Sequence, residues 1–428
     1  MLVNSRPGIL SVLLSLLLLM TTAVFSPGTD TPGAPHQTDC ANDESPRPKD
    51  LQPKDRHPAG NEDTVTLFLC GDVMTGRGID QILPYPSDPR IHEPFVKDAI
   101  DYVRIAEQVN GPILKPVAFS YIWGDAVDEL DRVRPELRII NLETSVTASD
   151  EYWPGKGINY RMHPDNAPCL MAARINFCSL ANNHTMDWGT SGLIETMETL
   201  SAAGIRYAGA GRDLEEAAKP AVFEIEGKGR IILFALCTAY SGVPSGWGAK
   251  MNSPGVNLIR DFSSNTIRDL SEEFRKFKQP GDILVVSIHW GGNWGYEIPK
   301  AHRSFAHKLI DEGGVDLIHG HSSHHARPIE VYRGKLILYG CGDFINDYEG
   351  IGGYEAYRDD LVLMYFPRID PADGKLIDLQ MTPLQIKRFR LQRASGADAR
   401  WLRDILNRHS EKFATRVELG EDNRLYLE

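Results

Sequence analysis

The sequence has no excess of basic residues. Lysine and arginine number 46 against 58 aspartate and glutamate residues, which gives a formal net charge of −12 over 428 residues. A protein that binds nucleic acid through its surface charge needs a basic face, so no nucleic acid is expected as a partner. With 42% hydrophobic residues, the chain can still bury a large core, which excludes a wholly disordered protein.

Cysteine is scarce as well, and the positions of the six cysteines argue against a disulfide framework. Four of them lie in or at the end of apolar, strand-like runs: Cys70, Cys178, Cys237 and Cys341. We interpret these four as small buried side chains. A bridge between Cys169 and Cys178 is the alternative. The sequence also lacks an internal repeat, which excludes a solenoid.

One long apolar run lies near the N terminus, from Ile9 to Phe25. Its length falls between a signal-peptide core and a spanning helix, so residues 1–26 are predicted to be a signal peptide or a membrane anchor. No cysteine follows closely, which disfavours a lipoprotein anchor. Residues 27–63 are rich in proline and poor in large apolar residues, which predicts a disordered tether. We therefore expect an extracytoplasmic protein, secreted or anchored to the membrane by its N-terminal segment.

From residue 64 onward, short apolar runs alternate with amphipathic stretches, as is typical of an α/β fold. The runs predict strands near residues 64–70, 137–141, 175–180, 230–237, 282–290, 315–320, 335–340 and 361–366. Helices are predicted around residues 94–109, 189–203, 261–278 and 299–313. The last segment, residues 368–428, is predicted to be a C-terminal helical extension that packs through Trp401 and Leu402.

Polar side chains follow several of these strands directly. Asp72, Glu143 and Asn183-His184 come after the first three strands, whereas His289 and the histidine-rich segment 319–325 end two later ones. The ends of such strands meet at one edge of an α/β sheet, where ligands bind. Carboxylate, amide and imidazole groups together are ligands for divalent cations such as Mn, Fe or Zn. The pattern therefore predicts a metal site.

Two other groups of residues are not assigned to this site. The run at 335–340 leads into Cys341-Gly342-Asp343, a sixth strand end of the same kind, which receives no separate role. His302 and His307 lie five positions apart in the polar-patterned helix at 299–313, off a common face, and we interpret them as solvated side chains.

The order of the motifs resembles that of a known family. GDVMTGR (71–77), NLE (141–143), INYRMHP (158–164), SLANNHTMDWG (179–189) and YGCGDF (339–344) are similar to the CapA family, the poly-γ-glutamate capsule biosynthesis proteins. The resemblance covers residues 64–367, which we treat as one domain. CapA proteins in turn resemble the calcineurin-like metallophosphatases. This implies an α/β fold, a metallophosphatase-like four-layer αββα sandwich with two packed β-sheets.

The resemblance also implies roles for individual residues. Asp72 would bridge two cations, and the other metal ligands would be Glu143, Asn183, His289, His321 and His324. His184 and Asp187 would be the catalytic residues, with the imidazole protonating a leaving group. Substrate would be bound by Arg161, the anion clamp, and by Trp290 and Glu297.

The motifs depart from the metallophosphatase pattern at three places. In the second motif, Asn141-Leu142-Glu143 stands where an aspartate usually follows a glycine. Met74 stands where a histidine usually follows the first aspartate, so the site could hold one divalent cation or two. Gly320-His321 is followed by two serines before His324, and His319 restores the usual one-residue spacing in another register. Whether His319 or His324 pairs with His321 stays open.

Three functions follow from the resemblance. The first is a CapA-family protein of poly-γ-glutamate capsule synthesis or export, acting as a metal-dependent hydrolase on an anionic polymer or small anionic substrate outside the membrane. The second is a non-catalytic polymer-binding or assembly subunit of a membrane capsule-synthesis complex. The third is a metallophosphoesterase. Because the chain is acidic, an anion must be attracted locally, for which Arg161 and Arg327 are the candidates.

Overall fold

The structure, a computed structural model, describes residues 64–428. The predicted signal peptide or anchor (1–26) and the predicted tether (27–63) lie outside the described residues. Within the described range, no helix has the length and apolar character needed to cross a bilayer.

The strands are, in chain order, β1 (Val65–Val73), β2 (Leu137–Leu142), β3 (Ser145–Val146), β4 (Arg161–Met162), β5 (Phe177–Ser179), β6 (Arg206–Ala208), β7 (Ala210–Gly211), β8 (Ala221–Ile225), β9 (Gly229–Thr238), β10 (Gly255–Val256), β11 (Leu258–Ile259), β12 (Ile283–His289), β13 (Leu317–His321), β14 (Ile329–Tyr332), β15 (Lys335–Leu338), β16 (Asp343–Ile345), β17 (Leu361–Ile369), β18 (Leu376–Lys387), β19 (Arg390–Arg393), β20 (Val417–Leu419) and β21 (Leu425–Leu427). The α-helices described are α1 (Arg77–Ile82), α2 (Ile100–Asn110), α3 (Ala126–Val133), α4 (Pro168–Ala172), α5 (Gly189–Ala202), α6 (Leu214–Ala218), α7 (Ser264–Phe277), α8 (Lys300–Asp311) and α9 (Gly396–Ser410). Each predicted strand and helix overlaps with one of these elements.

Two large sheets carry most of the strands. The first has ten strands in the order β20-β21-β18-β17-β1-β2-β5-β6, with β16 paired to β1 and β19 to β18. Its strands β1, β2, β5 and β6 are parallel. The second has seven strands in the order β11-β9-β12-β13-β15-β14, with β8 paired to β9. Its central strands β9, β12, β13 and β15 are also parallel.

The second sheet separates two hydrophobic cores, because alternate residues of a strand face opposite sides of a sheet. Leu233 and Ala235 of β9 belong to a core that also contains residues of the first sheet. Their neighbours Ile232 and Phe234 belong to a second core, together with apolar residues of α7 and α8. Helices α3, α4 and α5 contribute side chains to the core that includes the first sheet. The prediction of an α/β sandwich with two packed sheets is therefore confirmed.

The description of residues 368–428 as a helical extension was wrong. Only α9 is an α-helix there, and β18 to β21 add four strands to the first sheet. Polar residues of β18, Asp378, Gln380 and Thr382, alternate with the buried apolar residues Leu379 and Met381, a two-residue period that is typical of strands. Packing through the helix itself is confirmed, since Leu402 is buried in the core and Trp401 packs against it.

Three further predictions concern single residues. Cys70, Cys169, Cys178, Cys237 and Cys341 are all buried free thiols, so the buried interpretation is confirmed and the Cys169–Cys178 bridge is absent. The solvated interpretation of His302 and His307 was wrong. His302 is buried with its ring stacked on Trp290, and His307 lies 2.9 Å from a carboxylate oxygen of Glu330.

Candidate metal centre

The ends of strands from both sheets meet at one buried cluster of carboxylates and imidazoles. Asp72 lies near the end of β1, Glu143 directly follows β2, and Asp343 begins β16. His289 and His321 are the last residues of β12 and β13 and pair with each other in the ladder. None of these five residues is more than 4% exposed. The sandwich thus brings ligands together that are far apart in sequence.

A close approach of two backbones sets Asp72 beside Asp343. A Cβ atom on Gly71 would lie 1.6 Å from the carbonyl oxygen of Gly342, so only glycine fits there. The Asp72 N–H donates to that same oxygen over 3.0 Å. The two Cys-Gly-Asp segments therefore run side by side and direct two carboxylates to one place.

Neutral donors hold the Asp72 carboxylate. The Asn141 amide donates to Oδ1 over 2.7 Å, and the Ser322 N–H donates to Oδ2 over 3.1 Å. Ser322 has a φ of 97°, which is strained for a residue with a side chain. Asn182 donates to the Asn141 side chain over 3.2 Å. The orientation of Asp72 is thus fixed without any charged partner.

His289 and His321 lie next to each other on the side where the sheets meet. Their Nδ1 atoms are 2.9 Å apart, and both lie 3.9–4.0 Å from Asp72 Oδ1. The other nitrogen of His321 is 2.9 Å from the Ser287 hydroxyl. Burial, followed by neighbouring imidazoles, lowers the pKa of both histidines, so both are neutral at pH 7, as a metal ligand must be.

His319 and His324 have different positions, which bears on the open question of the pairing. His319 Nε2 lies 2.6 Å from the Cys70 carbonyl oxygen and its Nδ1 lies 3.1 Å from the Ser287 hydroxyl. Nε2 therefore links the two sheets, whereas Nδ1 contacts the neighbouring strand of its own sheet. His324 Nδ1 lies 2.9 Å from Asp343 Oδ1, and its Nε2 lies 2.9 Å from the Asn293 amide. His324 contacts a carboxylate of the cluster, whereas His319 holds backbone.

His184 and Asp187 form a buried pair beside the cluster. Nδ1 of His184 lies 2.5 Å from Asp187 Oδ2, and its Nε2 lies 3.8 Å from Glu143 Oε1. The imidazole stacks on Tyr160, with the ring centres 3.8 Å apart. Burial lowers the pKa of His184 to about 4. Nε2 is thus the nitrogen that faces the carboxylate cluster.

Lys156, which is not among the predicted site residues, contacts both members of this pair. Its ammonium donates to Asp187 Oδ1 and to the Asn183 carbonyl oxygen, and lies 3.0 Å from His184 Nδ1. Because an ammonium can only donate, Asp187 is the group that can accept a proton from Nδ1. Burial lowers the pKa of Lys156.

Among the described residues, the carboxylates of the cluster have only histidines as ion-pair partners. Burial, and then the nearby Asp343, raises the pKa of Asp72 to about 7. Burial and the charge on Asp72 also raise the pKa of Glu143. In the described part of the chain, no lysine or arginine forms an ion pair with any of the three carboxylates. Buried carboxylates gathered in this way call for a cation.

The donor atoms fit one or two divalent cations. Two groups of three have ligand atoms within 4.8 Å of one another: Asp72, His289 and His321, and Asp72, Glu143 and Asp343. Asp72 belongs to both groups. The side-chain oxygen of Asn183 is buried without a hydrogen-bond partner, so it is a spare acceptor near His184. Oxygen and imidazole ligands of this kind suit Mn, Fe or Zn.

The three predicted substrate contacts do not join the cluster. Arg161 is buried, donates to Ser149 O and Asp150, and stacks over Trp188. Trp290 is 1% exposed and donates to a backbone carbonyl in the core between α8 and the second sheet. The Glu297 side chain is 89% exposed and pairs with Lys412. These contacts give Arg161 and Trp290 structural roles and leave Glu297 at the surface.

Arg327, the other candidate for attracting an anion, is buried too. Its guanidinium donates to the carbonyl oxygens of Gly292 and Trp294, so it supports the loop after β12. Asp343 and Lys156 are the site residues that the sequence reasoning left unassigned. Asp343 repeats the Cys-Gly-Asp motif of Asp72, which is a detectable pattern. Lys156 stands in an exposed loop between two glycines, where no local pattern marks it.

The sheets and this cluster define a metallophosphatase-like α/β sandwich. Within that class, the chain belongs to the family of bacterial capsule synthesis proteins, because the family model "Bacterial capsule synthesis protein PGA_cap" matches residues 66–348. The resemblance to CapA proteins is confirmed.

Two kinds of relative show how far the similarity extends. Proteins named "Probable polyglutamine synthesis accessory protein" in two strains of Mycobacterium tuberculosis are 50% identical over 368 residues, which is 86% of this chain and 97% of theirs. The PGA biosynthesis protein CapA of Bacillus subtilis is 28% identical over 306 residues, or 71% of this chain and 68% of that protein.

Proposed function

We propose that this protein is a metal-dependent hydrolase that cleaves γ-linked polyglutamate during capsule synthesis, outside the membrane. The observation that carries the proposal is the His184–Asp187 pair beside three buried carboxylates that, within the described residues, pair with no lysine or arginine. The resemblance to the CapA proteins of poly-γ-glutamate capsule synthesis suggests the class of polymer, and the matched family is one of bacterial capsule synthesis. The apolar run Ile9–Phe25 supports the location and a place in a membrane synthesis complex.

Asp72, His289 and His321 would hold one cation, and Asp72, Glu143 and Asp343 a second. Asn183 offers a further oxygen, and His324 would act through its contact with Asp343. When bound, a divalent cation makes a water more acidic and offsets negative charge that develops on the substrate. The neutral imidazoles of His289 and His321 are already in the form that binds metal.

His184 is the residue that would move the proton. Asp187 accepts from the Nδ1–H and Tyr160 supports the ring, so Nε2 of the neutral imidazole can take a proton from the attacking water and pass it to the departing amine nitrogen. Breaking the amide C–N bond with water yields one carboxylate and one amine. The Lys156 contact to Asp187 keeps the pair in place.

The experiment measures amines released from poly-γ-glutamate by protein reconstituted with Mn²⁺, Fe²⁺ or Zn²⁺. His184→Ala should lower the rate by about 100-fold or more, because general acid catalysis contributes that much. Bound metal, measured by mass spectrometry, should not change. His92→Ala, a change at an exposed histidine, is the control and should keep the wild-type rate.

Three results would contradict the proposal. Wild-type rates in His184→Ala would remove the proposed acid. Polymer binding by the wild-type protein without any amine release, under all three metals, would instead support the assembly-subunit hypothesis. Release of phosphate from simple phosphoesters, with no action on the polymer, would favour a metallophosphoesterase.

A further inference from the structure

A groove of about 580 Å³ lies beside the turn that joins β18 to β19. We call it the arginine groove, and its lining includes Pro112, Leu114, Pro116, Tyr121, Arg388 and Arg390. Leu114 is 88% exposed, which is unusual for a leucine. None of the lining residues belongs to the candidate metal centre. The groove therefore offers apolar surface and two guanidinium groups at a separate place.

The turn itself is strained and tightly held. Arg388 and Phe389 have φ values of 56° and 54°, in the left-handed region that favours glycine or asparagine. The Glu349 carboxylate accepts from both of their N–H groups, over 2.7 and 2.5 Å, and the Tyr121 hydroxyl donates to the Arg388 carbonyl oxygen. Strain that the surroundings maintain is a feature of functional segments.

The charge around the turn is opposite to that of the chain. Residues 386–393 contain four basic side chains and no acidic one, in a protein whose net charge is −12. Lys387 and Arg388 are exposed, and within residues 64–428 neither side chain forms an ion pair. Arg390 is different, because it forms a salt bridge with Asp125 over 3.5 Å. Lys387 and Arg388 are therefore the cations that are free to meet a carboxylate ligand.

We propose that the arginine groove is a docking site for an acidic polymer in which carboxylates alternate with short methylene segments. The carboxylates pair with Arg388, which lines the groove, and with Lys387 next to it in the chain, and the methylene segments pack on Leu114 and Pro116. The proposal rests on the proposed function for the identity of the polymer, since γ-linked polyglutamate has this alternation.

The arginine groove is close enough to the candidate metal centre for one polymer chain to reach both. Glu349, which holds the turn, follows Asp343 by six residues, and six residues span at most about 22 Å. A polymer chain held at the groove can therefore extend to the carboxylate cluster. Docking at one place and cleavage at another would keep a long substrate bound between cleavage events.

The test is fluorescence anisotropy with labelled poly-γ-glutamate and the full chain, treated with chelator so that no cleavage occurs. Lys387→Gln/Arg388→Gln should weaken binding at least tenfold, and the wild-type affinity should fall as salt rises. Arg260→Gln/Lys300→Gln, which removes the same charge from exposed positions elsewhere, is the matched control and should change binding less than twofold. Equal weakening in both double variants would overturn the proposal.

A second variant separates binding from folding. Arg388→Gly removes the cation and relieves the positive φ at once, so its Tm should match or exceed that of the wild type while binding falls. Unchanged polymer binding in Arg388→Gly would contradict the proposal. If Arg388→Gly instead lost binding to phosphatidylglycerol vesicles but kept its binding to the polymer, the proposal would also be wrong, and the occupant of the groove would be a membrane. If the metal-loaded wild-type protein bound the polymer at the groove but released no amine, only the proposed hydrolase activity would be refuted.

Discussion

Lys156 is the only ammonium that contacts the His184–Asp187 pair in the described chain, and it determines how firmly that pair is held. It donates to Asp187, which is fully buried. We predict that Lys156→Met lowers the rate of polymer cleavage by about 10- to 100-fold, the cost usual for residues that orient a catalytic group. The measurement is kcat together with bound metal, which should stay at the wild-type level.

Lys156→Arg and Lys250→Met are the comparisons for this prediction. Arginine keeps the charge and a donor, so it should recover part of the lost rate. Lys250 is exposed, and its replacement should have no effect. Loss of metal from Lys156→Met would show a role in holding the cation rather than in positioning His184.

Two neighbouring histidines of β13 should respond differently to replacement. His319→Leu leaves the Cys70 carbonyl oxygen without its partner in a buried place, so it should cost about 1–3 kcal/mol of unfolding free energy. Its metal content should stay normal. His321→Leu should instead lower the metal content, because its Nδ1 faces Asp72. Urea unfolding and metal analysis measure both effects, and equal metal loss in the two variants would reject the distinction.

For single residues, the residue type and its position after a strand were enough to predict which side chains form the carboxylate and imidazole cluster. Asp72, Glu143, His289 and His321 converge because each ends or follows a parallel strand of the sandwich. The substrate contacts could not be predicted in this way. Arg161 and Trp290 have the right chemistry, but their direction depends on packing partners, Trp188 and Tyr339, that no local pattern reveals.

Among the elements, helix α3 holds the C-terminal strands through a single buried carboxylate. Glu129 accepts from Arg132, Arg393 and Arg424, and also from Thr382. Although burial alone would raise its pKa, these partners hold the pKa of Glu129 well below its usual range. One side chain of a short helix thus joins β18, β19 and the segment before β21.

We predict that Glu129→Gln lowers the unfolding free energy by about 2–3 kcal/mol. Breaking a fully buried ion pair costs about 3–5 kcal/mol, and the value is smaller here because Arg132 and Arg393 are each 40% exposed. Asp128→Asn, an exposed neighbour in α3, is the control and should cost little. Equal stability of Glu129→Gln and the wild type in urea would contradict the role of this carboxylate.

The strands that form the sandwich were predictable because they are almost continuously apolar, as buried parallel strands are. The C-terminal strands were not, since they are antiparallel and carry many charges. Their charges are satisfied by tertiary partners, as Glu129 shows, and such partners lie more than 200 residues away. A sequence window cannot contain that information.

For the whole molecule, the sandwich places the carboxylate cluster where its two sheets meet, so charge at the site and stability of the fold are linked. Asp72 is 1% exposed, and burial together with Asp343 raises its pKa to about 7, compared with 3.8 for a free side chain. A carboxyl whose folded pKa is raised stabilises the fold fully only below its unfolded pKa, and that contribution is lost as pH rises through the folded value.

We therefore predict that, without metal, the wild type loses stability relative to Asp72→Asn as pH rises. Between about pH 5 and about pH 8, the difference in unfolding free energy should change by about 2–3 kcal/mol, because one pKa unit corresponds to about 1.4 kcal/mol. The comparison with Asp72→Asn removes the opposing contribution of the buried histidines, whose low pKa values are common to both proteins. Saturating Mn²⁺ should abolish the loss in the wild type, since a bound cation favours the ionised carboxylate. Parallel stability curves for the two metal-free proteins would show that Asp72 has the pKa of a free carboxyl. The buried carboxylates that the two sheets bring together would then not call for a cation.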